Sequence, residues 1–367
     1  MSLVPGGGVL FRPEIVSLPI YRQGRPPVPG GLKLSSNELP FGPLPEVVEA
    51  LETGAWNRYP DATASRLREK LSASWGVPSD WLLVGAGSVA LLQQFISAAA
   101  GPGDEVIYPW RSFEAYPGLV TVSGATSIKV PNRPDHGHDL DAMAAAVTDR
   151  TRVVIVCTPN NPTSTIVTTA EFERLMAQVP SDRLVILDEA YREFVDDPDA
   201  VRGEEHLEKY PNLVITRTFS KAYGLAGLRI GYAIGRPELL APAQGAGIPL
   251  SVSAPAQLAA EVSLDHMDQI TSRVNEVASR ISQVRKAFDE IGGGLPLPYG
   301  NFVWLPTGEH TDQVVSWLED ESIVARAFPG EGIRVSIAEA EGVDPLLRIA
   351  KRVVADLPKS TPKAPLG

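Results

Sequence analysis

A single cysteine, Cys157, occurs among 367 residues. No disulfide can form within the chain, and the expectation is a protein of the reducing cytoplasm. Long apolar runs are also missing. None approaches the roughly 18–20 residues of a membrane span, and the amino terminus has no basic head followed by an apolar stretch. Neither a membrane partner nor a signal peptide is expected. Blocks of positive charge are absent as well. The formal net charge is −11, whereas neutralising nucleic-acid phosphates needs clustered Lys and Arg, so no nucleic-acid partner is expected. What the chain does have is apolar material: 44% of its residues are hydrophobic, enough for a large core and for more than one ordinary domain.

Residues 1–40 are rich in Pro and Gly and read as an extended arm. A long middle follows in which short Val/Ile-rich runs alternate with amphipathic helical ones. The runs "WLLVGAG" (81–87), "DEVIYP" (104–109), "SIKVP" (127–131), "RVVIVCTP" (152–159), "RLVILDEAY" (183–191), "NLVITRTFS" (212–220) and "RIGYAIG" (229–235) are bounded by turn residues. Runs apolar on both faces and separated by helices predict an α/β fold, with a mostly parallel sheet flanked by helices. Ligands of such sheets collect at the carboxyl ends of the strands. From about residue 255 the character changes. "TSRVNEVASRISQVRKAFDEI" carries Val274, Val277, Ile281, Val284 and Phe288 on one helical stripe, and "NFVWLP", "DQVVSWLED" and "GIRVSIA" follow. The expected division is an arm (1–40) packing with the small domain, a large α/β domain (41–254) and a smaller α+β domain (255–367).

The residues with chemical potential cluster near the ends of the predicted strands. In "TFSKAYGLAGLRIGY" (218–232), Thr218, Ser220 and Arg229 surround Lys221. A guanidinium with hydroxyls makes a phosphate cradle. A lysine amine is a poor nucleophile until its surroundings lower its pKa. A lysine beside a phosphate site points to a nucleotide or to pyridoxal phosphate. Asp188 ends the apolar run "VILDEAY", with Tyr191 three residues on. A carboxylate there can bind Mg²⁺ or pair with the protonated ring nitrogen of pyridoxal phosphate. The Mg²⁺ reading needs a G-x-x-x-x-G-K-[ST] loop upstream, and the sequence has none. Asn161, in the rigid turn "CTPNNPTST", can present an amide to a phenolic oxygen or a carboxylate.

"TPNNPT", "LDEAY" and "TFSKAYGLAGLRIGY", in this order and spacing, resemble the fold type I pyridoxal-phosphate-dependent aminotransferases, and within them the histidinol-phosphate aminotransferase branch. The likeness runs from "LSSNELPFGP" (34–43) through "NRYPD" (57–61) to "GIRVSI" (332–337). It implies pyridoxal 5'-phosphate as cofactor, condensed with Lys221. Asp188 would face the pyridine nitrogen, Asn161 and Tyr191 the ring hydroxyl, and Phe113 would stack on the ring. Thr218, Ser220 and Arg229 would bind the phosphate, joined by Ala86, Gly87 and Ser88 at a helix N-terminus. Tyr59 would reach the neighbouring subunit's site, which implies a homodimer. Arg334 would clamp the substrate carboxylate, with Tyr21, Asn37 and Arg326 as further substrate-side candidates. The implied partners are small amino acids and 2-oxo acids.

Three traits depart from the usual histidinol-phosphate pattern. Ser88 and Val89 stand where that branch has an acidic pair, Ser164 follows "NNPT" where glycine is usual, and "PWRSFEAYPG" (109–118) is distinctive. These resemble the actinobacterial aromatic amino acid (phenylalanine) aminotransferases. The resemblance implies phenylalanine, tyrosine or tryptophan as donor and 2-oxoglutarate as acceptor. Histidinol phosphate as donor is the alternative, kept alive by Arg326, and a pyridoxal-phosphate decarboxylase on the same fold is a further one.

Three other patterns invite different readings. "GAGSVA" (85–90) fits a dinucleotide-binding G-x-G-x-x-A but leaves Lys221 unexplained. "DHGHDLD" (135–141) holds an H-x-H but reads as a polar turn with an Asp N-cap, so no metal is expected. Cys157 borders a buried strand without an activating partner and reads as a core residue.

Overall fold

The computed structural model describes residues 11–19, 26–54, 56–292, 294–337 and 339–356. Eleven strands are present among them: β1 (Leu32–Leu34), β2 (Leu82–Gly85), β3 (Glu105–Trp110), β4 (Thr126–Pro131), β5 (Thr151–Cys157), β6 (Leu184–Asp188), β7 (Leu213–Thr218), β8 (Gly231–Gly235), β9 (Phe302–Leu305), β10 (Ile323–Phe328) and β11 (Gly332–Ser336). Seven of them form one sheet in the order β2-β8-β7-β6-β5-β3-β4. The pairs among β7, β6, β5, β3 and β4 are parallel, and only β8 runs against its neighbours β2 and β7.

The apolar runs of these strands have their cause in burial on both faces. In β5, Val153 and Ile155 point to one side and pack with Leu91, Leu92, Phe95 and Ile96 of the helix Ser88–Ala99. Val154 and Val156 point to the other side, among Phe172, Leu175 and Met176 of the helix Thr169–Gln178. A strand covered twice has no polar face to alternate with, which is why it reads as a continuous hydrophobic run. The expected parallel sheet flanked by helices is therefore present.

The second sheet is four-stranded, in the order β1-β10-β11-β9. The helix Met267–Glu290 packs beside it and buries Val274, Val277, Ile281, Val284 and Phe288, the stripe read from the sequence. β1, from the segment read only as an extended arm, pairs in parallel with β10. Neither strand was anticipated. β1 has three residues, and β10 is buried only at its two ends, so neither carries a clear alternation.

β5, β6 and β7 end in register at Cys157, Asp188 and Thr216–Thr218. The carboxyl ends of the parallel strands therefore form a single ledge, and the turn that follows β1, Ser35–Asn37, lies against it. Asn37 is fully buried there, with its backbone N–H donated to Ser336 Oγ at the end of β11. Lying between the two sheets, Asn37 ties them together.

Candidate active site

Lys221 lies just beyond β7. Its Nζ donates to the carbonyls of Ser36 (3.2 Å) and Asn37 (3.1 Å) and sits 5.6 Å from the centre of the Tyr191 ring. Burial, reinforced by the charges of Arg334 and Arg229, lowers its pKa to about 7, against a weaker opposing pull from Glu38. A substantial fraction of this amine is neutral, and so nucleophilic, at physiological pH.

Asp188 closes β6. Its Oδ2 accepts from Tyr116 Oη at 2.7 Å and its Oδ1 from Thr216 Oγ1 at 3.2 Å. Burial raises its pKa to about 6, the two hydroxyls draw it back, and Glu189 raises it further. A buried carboxylate held by neutral donors carries a charge that no cation among the described residues answers at contact distance. A buried ring N–H⁺ would complete it. Tyr116 did not emerge from the sequence reading as a site residue, although it lies in the quoted "WRSFEAYPG". Its signal is the i, i+3 spacing from Phe113 at the start of a helix, and the two rings meet edge to face at 5.5 Å.

Tyr191 Oη accepts from Asn37 Nδ2 at 2.9 Å, and burial raises its pKa to about 12 despite Arg334 nearby, so the phenol remains a proton donor. Asn161 Oδ1 accepts from Arg334 Nη1 at 2.6 Å, and Arg334 also donates to the Ser35 carbonyl. Lys221, Tyr191, Asn161 and Arg334 are thus all tied to the Ser35–Asn37 turn or to one another where the two sheets meet, and Tyr116 links Asp188 to Phe113 at the strand ends.

The residues read from the sequence as an anion cradle are gathered beside Lys221. Ser220 N–H donates to Thr218 Oγ1 at 3.1 Å, the two hydroxyls are 3.0 Å apart, and Arg229 Nη1 reaches Ser220 Oγ at 3.3 Å. The helix Ser88–Ala99 begins here with Gly87 as N-cap and no side chain capping it, so its first N–H groups are free to face an anion. Ala86 leads into this turn. Two glycines make the approach possible. Gly87 has φ 86°, and a Cβ on it would lie 2.7 Å from Arg229 Nη2; a Cβ on Gly231 would lie 2.7 Å from the N–H nitrogen of Ser88. Gly224 and Gly227, next to the lysine in sequence, have a smaller part. Gly224 adopts φ 68°, but a side chain at Gly227 would meet nothing within 4 Å, and Arg229 itself takes φ 55° to turn back.

The remaining predicted residues are placed as follows. Tyr59 is 87% exposed and stands apart from the cluster. Tyr21 lies outside the described residues. Arg326 is the register partner of Arg334 across β10 and β11, and it donates to both carboxylate oxygens of Glu114 at 3.1 and 2.6 Å. Ser164 has φ 64°, a backbone state that favours glycine, and its Oγ accepts from the N–H groups of Tyr299 (3.0 Å) and Gly300 (2.8 Å). Those two bonds offset the strain of a non-glycine residue in that state.

Of the three patterns that invited other readings, the histidine turn and the cysteine are structural. His138 is buried between Asn132 and the Cys157 carbonyl, and burial takes its pKa to about 4. Asp139 caps the following helix through the N–H of Ala142 at 2.9 Å. Cys157 is buried, and its thiol is pushed up to about 12 by burial, far from thiolate. No group of three or more potential metal ligands occurs among the described residues.

The sequence matches the family described as aminotransferase class I and II over residues 29–349. The chain belongs to this family. The aminotransferase is 47% identical to an aromatic amino acid aminotransferase of Streptomyces avermitilis, over 95% of this chain and 98% of that one. It is 46% identical to a protein of the same name from Corynebacterium glutamicum, over 92% and 98%. Among solved structures, the histidinol-phosphate aminotransferase of Sinorhizobium meliloti in complex with pyridoxal-5'-phosphate superimposes with a TM-score of 0.84 at 25% identity, over 95% of this aminotransferase and 98% of that chain. No helix among the described residues is long and apolar enough to cross a membrane.

Proposed function

We propose that this aminotransferase moves the amino group of phenylalanine, tyrosine or tryptophan to 2-oxoglutarate, using pyridoxal 5'-phosphate held at Lys221. The observation that carries the chemistry is the half-buried Lys221 amine, its pKa lowered to about 7 by desolvation and by the charges of Arg334 and Arg229, on the segment that runs from Thr218 to Arg229. The residues fit the cofactor at each of its groups. Thr218, Ser220, Arg229 and the turn Ala86–Gly87–Ser88 suit its phosphate. Asp188 suits the ring nitrogen, Asn161 and Tyr191 the ring hydroxyl, and Phe113 the ring face. When bound, this group supplies an aldehyde for amine exchange and a heterocycle that withdraws electrons from the donor's α-carbon.

The chain's own residues do the rest. Arg334 binds the α-carboxylate of donor and acceptor in turn and so fixes which bond at the α-carbon lies over the ring. Lys221 Nζ, once neutral, takes the α-proton and returns it, acting as a general base and then a general acid near its own pKa. Asp188 holds a proton on the ring nitrogen and so keeps the electron demand in place. The Tyr191 phenol, kept protonated by burial, donates to the ring oxygen. Tyr21 and Asn37 are assigned to the substrate side.

The aromatic donor rests on relatives of that name at 44–47% identity over most of both chains. Histidinol phosphate is the second reading, favoured by the cation of Arg326 beside Arg334. A decarboxylase is disfavoured by an arginine so placed to hold the carboxylate. We further assign residues 1–40 to an arm packing with the small domain, 41–254 to the cofactor-binding domain and 255–367 to the small domain, and we assign the enzyme to the cytoplasm. A homodimer in which Tyr59 crosses to the neighbouring site accords with the exposure of that phenol in a single chain.

A donor panel tests the reading. Phenylalanine should outpace histidinol phosphate with 2-oxoglutarate as acceptor, and Lys221→Ala should abolish both turnover and the borohydride-sensitive absorbance of bound cofactor. Full activity in that variant would overturn the assignment, and preference for histidinol phosphate would transfer it to the second reading.

A further inference from the structure

Arg334, assigned above to the substrate carboxylate, has a second arginine, Arg326, beside it, and the two have different partners. Arg326 and Arg334 are direct register partners on β10 and β11, so their side chains leave the same face of the sheet, with Cβ atoms about 5 Å apart. Arg334 donates to an amide oxygen and a backbone carbonyl, Asn161 Oδ1 and Ser35 O. Arg326 donates to the carboxylate of Glu114 through Nε and Nη2, and both members of that ion pair are half-buried. Glu114 directly follows Phe113, on the loop that ends at Tyr116 and so at Asp188. The carboxylate therefore reaches from the cofactor-ring loop to the strand that bears Arg326.

We propose that Glu114 sets the donor specificity by occupying Arg326, so that the substrate end of the site rejects a phosphate-bearing amino donor and accepts an uncharged aromatic one. This rests on the functional reading above and deepens it. A bidentate carboxylate takes up two of the guanidinium's N–H groups and matches its charge. A phosphomonoester arriving at Arg326 would have to displace Glu114 or lie against a like charge, and like-charge juxtaposition costs affinity directly. A neutral ring meets neither cost. Glu114 thus acts through Arg326 as a positioning residue. A neighbouring ion pair joins the same loop to the β10–β11 turn, between Arg111 and Glu331. Because this second tie exists, fastening the loop does not depend on Glu114 alone.

The test uses the holoenzyme and two donors, phenylalanine and histidinol phosphate, with 2-oxoglutarate as acceptor. Glu114→Gln keeps the shape and removes the charge. It should raise the ratio of kcat/KM for histidinol phosphate to that for phenylalanine by about tenfold or more, through a lower KM for histidinol phosphate with its kcat held. Glu114→Asp should keep the wild-type ratio, and Glu114→Gln combined with Arg326→Gln should lose the gain. Arg326→Gln alone, which leaves the carboxylate unanswered, should move the ratio the opposite way, and it serves if Glu114→Gln does not fold. An unchanged ratio, or an equal fall for both donors as a mere loop fastening would give, overturns the proposal. If the wild-type enzyme itself prefers histidinol phosphate, the functional reading fails as well. If the wild type prefers phenylalanine and Glu114→Gln keeps its ratio, only the proposal fails.

Discussion

Asp188 and Glu189 are consecutive carboxylates at the end of the same strand, and the fold treats them in opposite ways. Asp188 points to the face that holds Tyr116, Thr216 and Thr218, and its side chain is met by neutral hydroxyls. Glu189 points to the other face, where Arg217, itself fully buried, donates to it from Nε (2.8 Å) and Nη2 (2.5 Å) and also reaches Glu204 at 2.5 Å. Trp75 covers the guanidinium at 3.9 Å. The strand pleat alone separates the two, since residues 188 and 189, like 216 and 217, must face opposite sides. A buried charge that the chain has already answered is a structural element, whereas one met only by hydroxyls retains capacity for a cationic group.

The contrast can be broken most sharply by neutralising each carboxylate in turn. Asp188→Asn should slow turnover on the order of 10²–10⁴-fold, because the electron demand on the donor loses its support, while the midpoint of denaturant unfolding holds or rises. Glu189→Gln should do the reverse. It leaves Arg217 under-compensated in the interior and should cost about 3–5 kcal/mol of stability by denaturant titration, with turnover per folded molecule unchanged. If both variants lost activity and stability alike, the two faces would not differ as described.

A smaller effect concerns pH. The amine of Lys221, with a pKa of about 7 when folded, is protonated below that value and neutral above it, and the Asp188 carboxyl ionises above about 6. Uptake of pyridoxal phosphate by the cofactor-free protein, followed by absorbance, should therefore rise about tenfold per pH unit below 7 and level off above it. A flat profile between pH 5 and 8 would count against a neutral lysine.

The smallest concerns Glu193, near the Arg217 network. Both its carboxylate oxygens are buried without a hydrogen-bond partner among the described residues, and burial raises its pKa from 4.5 to about 7. Between those two values the folded chain keeps a proton that the unfolded chain has released. Its stability therefore falls as pH rises through that window. Glu193→Gln should stabilise the protein by roughly 2–3 kcal/mol at pH 8 and by little at pH 4.5, measured by thermal unfolding at the two pH values.

Much of the architecture was legible because burial on both faces leaves a local mark. β5, β6 and β7 read as unbroken apolar runs, and the helix Met267–Glu290 as a single stripe. The family was legible as well, through motifs around Lys221, Asp188 and Asn161 whose order and spacing it shares. β1 and β10 were not, being short or half-exposed, with pairings some 290 residues apart in sequence and no periodic pattern of their own. Nor was Tyr116 legible as the holder of Asp188, since a hydroxyl 72 residues away becomes a partner only when two strands and a helix converge.

The order of residues by itself determined the parallel sheet and the family, and it marked Lys221, Asp188, Thr218, Ser220 and Arg229 as candidates for the site, because hydrophobic period and motif spacing are local properties of a chain. Tertiary structure alone decided how those groups are tuned: that Lys221 sits near neutrality, that Asp188 remains unanswered while Glu189 does not, and that Glu114 holds Arg326. Proton affinity and charge pairing depend on desolvation and on distances across the fold, and neither exists until segments remote in sequence have packed together.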